Sequence, residues 1–209
     1  MGGMDAPATL AYVFWHWMRA DGDVAAYEEA LKAFQLALLD NAPTGYRRAA
    51  IFRHAPAPWL PGQGPHYMDW YVTDDSAALD PLNDAAVSAA CLAVHDAAAG
   101  RAEGGTAGLY RLRRGVVQAN QVHCATWFSK PAGMSYEALD ACLAEPMDGA
   151  RSELWSRRMT LGPAPEMCVL AATTIALPED FGAISVPMDP LWHGARSPLE
   201  QGDLEDAIQ

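Results

Sequence analysis

Two ionisable residues, His16 and Asp69, are candidates for acid–base chemistry because each interrupts an aromatic and apolar segment. His16 lies in LAYVFWHWM (residues 10–18) and Asp69 in HYMDWYV (residues 66–72). A carboxylate beside an imidazole raises the pKa of the ring and fixes its tautomer, as a general base or an orienting group requires. The alternative is a structural polar pair, or a pair that lines a wet dimer seam.

Alternation along a strand assigns these side chains to faces. In residues 10–18 one set comprises Tyr12, Phe14, His16 and Met18, and the other comprises Val13, Trp15 and Trp17. We expect the wholly apolar set to lie beneath helices and the set with the ionisable group to face the interior of a barrel. The same reasoning directs Tyr67, Asp69 and Tyr71 into the barrel and Met68, Trp70 and Val72 towards the helices.

A group of aromatic and imidazole side chains is expected to bind the substrate: Tyr12, Phe14, Tyr67, Tyr71, His123 and Trp127. The first four share a face with His16 or Asp69, although tyrosines in strands also serve as packing residues. The last two lie in a segment that repeats the opening strand, and we expect them to close the cavity from the other half. Arg53 and His54 lie on opposite faces of the intervening strand, and alternation does not settle which of them turns inward.

Other motifs argue against several kinds of site. The sequence lacks GxGxxG, GxxxxGK[ST], GxSxG and HExxH, so nucleotide, serine-hydrolase and zincin chemistry have no support. The histidines are scattered and the four cysteines lack CxxC spacing, so we expect no metal and no cofactor. Haem in the barrel stays open, with His16, His54 or His123 as the axial ligand.

The composition excludes some partners. The 209 residues include 14 Lys and Arg against 26 Asp and Glu, and the formal charge of -12 repels nucleic acid and anionic membrane surfaces. Because the cysteines suggest small buried residues and no signal peptide is recognised, we expect a cytoplasmic protein. The sequence leaves a homodimer open.

The elements expected to position these residues follow the order βαββαβ in the first half, residues 1–115. A strand at 10–18 precedes a helix whose apolar residues recur at steps of three and four, with Asp21 or Asp23 as its cap. Strands are predicted at 45–54 and 66–72, a helix from Asp80 to Gly100, a turn at EGGTAG and a closing strand at 109–114. The loop APAPWLPGQGPH (residues 55–66) is either a lid over the mouth of a cavity or an ordinary connector.

The second half, residues 116–195, reads as a degenerate copy. We predict a strand at VHCATWFS, a helix over residues 135–159 with a break at Pro146, and a strand at MCVLAATTIAL. The segment DFGAISVPMDPLWHG is too proline-rich for a standard strand pair. An acidic tail, residues 196–209, is expected to be loose. The predicted fold class is α+β, with tandem ferredoxin-like halves whose antiparallel sheets form a barrel within one chain.

The opening strand YVFWHWM, the helix after it and the strand YMDWYV resemble the dimeric α+β barrel superfamily, which includes EthD-like proteins and antibiotic-biosynthesis monooxygenases. The resemblance covers residues 10–113 closely and residues 121–177 loosely. It implies two facing sheets and an interior suited to a small hydrophobic or aromatic molecule. It assigns no chemistry, because this fold has many functions.

The expected function is that of a small-molecule enzyme acting on a hydrophobic or aromatic compound inside the barrel. Cofactor-independent oxygenation, isomerisation and decarboxylation all stay open as the reaction. The alternatives are a non-catalytic small-molecule-binding or stress-related protein and a haem-binding barrel, and the sequence does not decide whether the protein is an enzyme. A His16–Asp69 contact at an open pocket would favour the enzyme, and a pair sealed beside a filled interior would favour the binding protein.

Overall fold

The computed structural model describes residues 9–116, 118–148, 151–160 and 162–196. Within these residues eight antiparallel strands form a closed barrel in the order β1-β3-β2-β8-β5-β7-β6-β4. The strands are β1 Leu10–Met18, β2 Tyr46–His54, β3 His66–Thr73, β4 Ala102–Gly115, β5 Cys124–Phe128, β6 Ser152–Thr160, β7 Met167–Ala171 and β8 Ile184–Ala195. The helices are α1 Val24–Asp40, α2 Leu79–Ala86, α3 Leu92–Ala99, α4 Tyr136–Cys142 and α5 Ala144–Met147. The expected acidic tail lies outside the described residues from position 197 onward.

The two halves of the barrel share one strand order. The strands of the first half lie in the order β4-β1-β3-β2, and those of the second half in the order β8-β5-β7-β6. When the strands of each half are numbered from one to four along the chain, both orders read 4-1-3-2, which is the ferredoxin-like order. The edges join as β2–β8 and β4–β6. This confirms the predicted α+β fold class, and one chain supplies both sheets.

The first half follows the predicted order of elements. Asp23, one of the two predicted cap residues, caps α1 by accepting a hydrogen bond from the amide of Ala26 at 3.1 Å. Two features differ from the prediction. The single helix expected from Asp80 to Gly100 is two short helices, α2 and α3. The Gly-rich segment expected to be a turn belongs to β4, because aromatic side chains of β1 lie across it: a Cβ at Gly105 would come within 2.4 Å of the Phe14 ring.

In the second half two sequence predictions were wrong. The C-terminal part of the predicted helix over residues 135–159 is strand β6, which hydrogen-bonds to β4 and β7. The proline-rich segment forms β8, which pairs with β2 and β5. Strand pairing on both sides overrides local propensity here, since it satisfies backbone groups that the closed barrel would otherwise leave buried. The connection from β7 to β8 contains only a short 3-10 turn, Glu179–Phe181.

Large aromatic side chains fill the interior of the barrel. Trp15, Trp70, Trp127, Trp155 and Tyr110 are each no more than 2% exposed and belong to one core cluster. The Trp15 and Trp127 ring centroids are 5.5 Å apart, and those of Trp70 and Trp155 are 5.2 Å apart. Eight strands leave an interior wide enough for side chains, and these side chains occupy it.

The loop between β2 and β3 covers one end of this core. Ala57 and Leu60 are buried in the core cluster, and the Trp59 ring lies 5.7 Å from that of Trp127. The loop therefore packs on a filled interior as a connector that seals the barrel end. Among the described residues no helix is long and apolar enough to cross a membrane.

Candidate functional site

The candidate pair His16 and Asp69 lies on the outer face of the sheet, beneath α1. The His16 Nδ1 atom is 2.6 Å from the hydroxyl oxygen of Tyr27 on α1, whereas Val13 and Trp15 pack inside the barrel. The predicted assignment of faces was therefore wrong on both β1 and β3. The barrel interior is filled by the large apolar set, and α1 supplies polar partners for the ionisable set.

The convergence of His16 and Asp69 is confirmed. The Nε2 atom of His16 lies 3.2 Å from Oδ1 of Asp69, and the two side chains belong to neighbouring antiparallel strands. His16 is 1% exposed and Asp69 is 3% exposed. A buried carboxylate requires such partners, because it loses its hydration. The expected position between the two halves of the barrel was wrong, since the pair lies under a helix of the first half.

The second carboxylate oxygen of Asp69 is held by two neighbours. Its Oδ2 atom accepts hydrogen bonds from the hydroxyl of Tyr71 at 3.0 Å and from Nε2 of Gln35 at 3.3 Å. Burial, together with the negative charge of Asp69, raises the pKa of Tyr71, so this phenol stays protonated as a donor. Asp69 thus has a fixed orientation and acts as an acceptor towards His16.

A cavity of about 860 Å³ lies between the helices α1–α3 and the outer face of the sheet. His16 and Asp69 are both in its lining. Aromatic and aliphatic side chains dominate the rest, among them Tyr12, Phe14, Tyr27, Phe34 and Tyr71. The cavity opens to solvent beside Asn83, Glu103 and Met159, which are exposed.

Small residues of β4 create this space. Gly104, Gly105, Ala107 and Gly108 lie along the floor of the cavity. Ala107 stands opposite Phe14 in the β1–β4 register, and Gly105 stands opposite His16. Larger side chains at Gly105 or Ala107 would share the face of Phe14 and fill volume that a ligand can use, whereas a Cβ at Gly108 would meet Tyr110 and Trp15 on the core side.

The cavity lining contains carboxylates but no lysine or arginine. Asp69 lies deep in it, and the exposed residues Asp80 and Glu103 lie at its rim. A ligand carboxylate would therefore find no positive partner among the described lining residues. The site suits a neutral or a cationic molecule.

The structure brings together only some of the predicted substrate-binding residues. Tyr12, Phe14 and Tyr71 line the cavity with the His16–Asp69 pair. Tyr67 does not line it but stacks on His16, with ring centroids 5.4 Å apart. The other two predicted residues, His123 and Trp127, do not line the cavity.

Trp127 and His123 were expected at a cavity inside the barrel, and neither lines the cavity beneath α1–α3. Trp127 packs in the barrel core, and His123 is an exposed residue before β5. The helix-covered face of the second half is itself filled by a cluster that includes Phe128, Leu139 and Phe181. These side chains occupy the place that corresponds to the cavity of the first half.

The lining residues that sequence reasoning missed include Tyr27, Phe34 and His95. Tyr27 and Phe34 were assigned only to the apolar stripe of α1. The available signal was the pair of polar groups, Tyr27 and Gln35, in an otherwise apolar buried stripe. His95 is half-buried on α3, and its ring lies 5.4 Å from that of Phe34.

The three histidines considered as axial haem ligands do not fit that role. Both ring nitrogens of His16 are engaged, by Tyr27 and Asp69. His54 lies at the sealed end of the barrel, where its Nδ1 atom is hydrogen-bonded to the Ala55 carbonyl. Of the two residues whose faces the sequence left open, His54 therefore turns inward, and Arg53 turns outward and pairs with Glu28 of α1. His123 is exposed and outside the cavity. No group of three or more metal-ligating side chains occurs among the described residues.

Comparison with known proteins places this geometry in a fold. No protein-family model and no curated protein matches the sequence. A protein of Fusobacterium nucleatum provisionally named a monooxygenase shares 8% identity at a TM-score of 0.63, covering 91% of this chain and 95% of its own. A protein of the same name from Lactobacillus acidophilus shares 9% identity at a TM-score of 0.60, covering 90% of this chain and 96% of its own. An anthrone oxidase-like protein shares 10% identity at a TM-score of 0.56, covering 92% of this chain and 94% of its own. At these identities the likeness shows the fold alone, an α+β barrel built from two ferredoxin-like halves.

Proposed function

We propose that the protein is an enzyme that acts on a small hydrophobic or aromatic molecule in the cavity between α1–α3 and the sheet. The observation that carries the proposal is the hydrogen-bonded His16–Asp69 pair in the lining of that cavity. A buried carboxylate that orients an imidazole beside a ligand pocket is a recurrent arrangement for proton transfer.

The shape and lining of the cavity support the substrate class. Its volume of about 860 Å³ lies in the range of pockets that enclose a multi-ring organic molecule. The rings of Tyr12 and Phe14 are nearly parallel, with centroids 6.4 Å apart. Flat apolar walls with a few polar groups at one end favour an aromatic compound with a single polar group directed at His16 and Asp69.

Removal or return of a proton is the step that these residues supply. Oxygenation of an activated phenol and isomerisation of an enolisable ketone both begin with it. A decarboxylation ends with it, but its carboxylate substrate would find no lysine or arginine in the described lining. The names of the structural neighbours, monooxygenase and anthrone oxidase-like, make uptake of molecular oxygen the first reaction to measure. The site can bind and orient such a substrate and exclude water from its reacting end.

The arrangement favours an enzyme over a non-catalytic binding protein. The interior of the barrel is filled, but the His16–Asp69 pair lies at an open cavity on the other side of the sheet. A purely structural pair would not need to line a cavity. The polar groups that meet there are paired with each other and with α1, so their orientation is fixed before a ligand binds.

The test is a panel of phenols, quinones, anthrone and aromatic acids, screened first by thermal shift and then by mass spectrometry and oxygen uptake. His16→Asn and Asp69→Asn should lower turnover of any accepted compound by about two orders of magnitude or more. His193→Asn is the matched control, because His193 is exposed on β8 and outside the cavity. Turnover equal to that of the control in both variants would contradict the proposal, and ligand binding without any turnover would assign a binding protein.

A further inference from the structure

We propose that Tyr27 is the residue that exchanges a proton with the bound molecule, and that His16 passes this proton to and from Tyr27. The inference rests on the proposed function and names a further catalytic residue for it. Tyr27 lines the cavity, and its hydroxyl oxygen lies 2.6 Å from Nδ1 of His16. The tyrosine therefore contacts both the imidazole and the cavity in which a ligand would bind.

The geometry leaves His16 no free nitrogen for a ligand. Its Nδ1 atom faces Tyr27, and its Nε2 atom faces Asp69 at 3.2 Å. The in-plane hydrogen-bonding directions of both ring nitrogens are therefore taken. Direct proton abstraction by His16 would require one of these bonds to break. Exchange through Tyr27 requires no such break.

The hydrogen-bond directions follow from the Asp69 carboxylate, which can only accept. In the neutral ring the Nε2–H group donates to Asp69, so Nδ1 carries the lone pair and the Tyr27 hydroxyl donates to it. Burial, with the nearby charge of Asp69, raises the pKa of Tyr27, which keeps its proton at neutral pH. The hydroxyl oxygen of Tyr27, which donates its proton to His16, keeps acceptor capacity for a ligand in the cavity that Tyr27 lines.

The proton-transfer step balances within these three residues and the ligand. A ligand O–H gives its proton to the Tyr27 oxygen while the proton of Tyr27 moves to Nδ1 of His16. The products are a ligand anion, a neutral Tyr27 and an imidazolium whose charge is offset by Asp69. In the reverse direction His16 returns a proton to Tyr27 as Tyr27 protonates the ligand.

Helix α1 holds both ends of this chain of hydrogen bonds. Tyr27 and Gln35 lie on its buried stripe, and they contact His16 and Asp69 respectively. Tyr67 packs against both rings, with centroids 5.4 Å from His16 and 5.1 Å from Tyr27. The rings are therefore fixed by packing as well as by hydrogen bonds, as efficient proton exchange requires.

The charged and titratable groups around the imidazole come from three elements. Asp69 and Tyr67 face it from β3. The Tyr67 hydroxyl donates to Glu28 of α1, which pairs with Arg53 of β2. The Glu28–Arg53 pair is neutral overall and lies beyond Tyr67. Asp69 is thus the charge in direct contact with His16.

The test compares two neutral probes, 2-naphthol and 2-methoxynaphthalene. The naphthol can donate to the Tyr27 oxygen, but the ether can only accept. Near pH 8 the wild-type protein should therefore bind 2-naphthol about fivefold more tightly than the ether, the effect of one net hydrogen bond. Tyr27→Phe should remove this preference. Tyr136→Phe, which deletes an exposed hydroxyl far from the cavity lining, should retain it.

The outcomes separate this inference from the proposed function. A preference that Tyr27→Phe does not change would overturn proton exchange through Tyr27 and leave the proposed function standing. If neither these probes nor any compound of the panel binds the wild-type protein, the proposed function fails as well. Loss of turnover in His16→Asn with full turnover in Tyr27→Phe would overturn the inference alone.

Discussion

Trp15 and His16 are adjacent in sequence and serve opposite faces of one strand. The Trp15 ring lies 5.5 Å from that of Trp127 in the barrel core, and the His16 ring bonds to Tyr27 beneath α1. One strand therefore contributes to the core and to the candidate site through alternate residues. Substitutions of neighbouring residues should accordingly separate stability from ligand binding.

Replacing Trp127 by alanine should destabilise the protein by about 3–5 kcal/mol, because it leaves a large cavity in a filled core. Urea unfolding of Trp127→Ala measures this, with Leu36→Ala, which truncates a residue 51% exposed on α1, as the control. The folded fraction should still bind 2-naphthol. Loss of naphthol binding at unchanged stability would show that Trp127 belongs to the binding site after all.

Ala107→Trp should weaken 2-naphthol binding by about tenfold with a change in unfolding free energy within about 1 kcal/mol. Ala107 lines the cavity floor opposite Phe14, so the indole would occupy the volume next to the His16–Asp69 pair. Ala172→Phe is the control, because Ala172 is exposed after β7. Undiminished naphthol affinity in Ala107→Trp would place the ligand elsewhere.

Much of the fold was predictable from residue patterns. The period of α1, its cap at Asp23 and the aromatic strands β1 and β3 are local signals, and they gave the convergence of His16 with Asp69. Strands β6 and β8 could not be recognised, because Arg157 and Pro190 are poor strand residues whose segments are held by pairing on both sides. Such pairing is a property of the closed barrel and leaves no local pattern.

The face assignment failed for a related reason. Alternation shows that Trp15 and His16 point in opposite directions, but it does not show which direction is the solvent-accessible one. That depends on whether the barrel or the helix layer holds the empty space. The deciding residues are the glycines of β4 and the polar side chains Tyr27 and Gln35 on α1. Their contribution to the site depends on tertiary contacts between the helix and the sheet, which the sequence pattern does not show.

The pH dependence of stability should include a contribution from His54. Its burial at the barrel end lowers its pKa to about 4, against an ordinary value near 6.5. Above pH 6.5 both the folded and the unfolded forms are neutral, so the residue has no effect. Between these values the unfolded chain binds the proton and the folded protein does not, so the unfolding free energy should fall by about 3 kcal/mol as the pH drops.

Urea unfolding of the wild type and His54→Gln at pH 7 and pH 4.5 measures this contribution. The wild type should lose more stability than the variant over this interval, since glutamine does not titrate. Equal losses in the two proteins would mean that His54 is accessible to protons in the folded state.

The cavity should discriminate by charge, because its lining contains Asp69, Asp80 and Glu103 and no lysine or arginine. At pH 7, 2-naphthoate should bind at least about tenfold more weakly than 2-naphthol, since one like charge about 8 Å away at an effective dielectric constant of about 40 costs ~1 kcal/mol and the carboxylate also loses hydration without a partner. Ala99→Lys places an ammonium group at the exposed edge of the lining. It should strengthen naphthoate binding several-fold and leave naphthol binding unchanged.

High salt should reduce the part of the affinity difference between naphthol and naphthoate that the exposed rim carboxylates cause, because salt screens exposed charges. It should leave the part that buried Asp69 causes. Fluorescence titration at low and high salt measures both parts, and equal wild-type affinities for the two probes at low salt would contradict a carboxylate-lined cavity as the binding site.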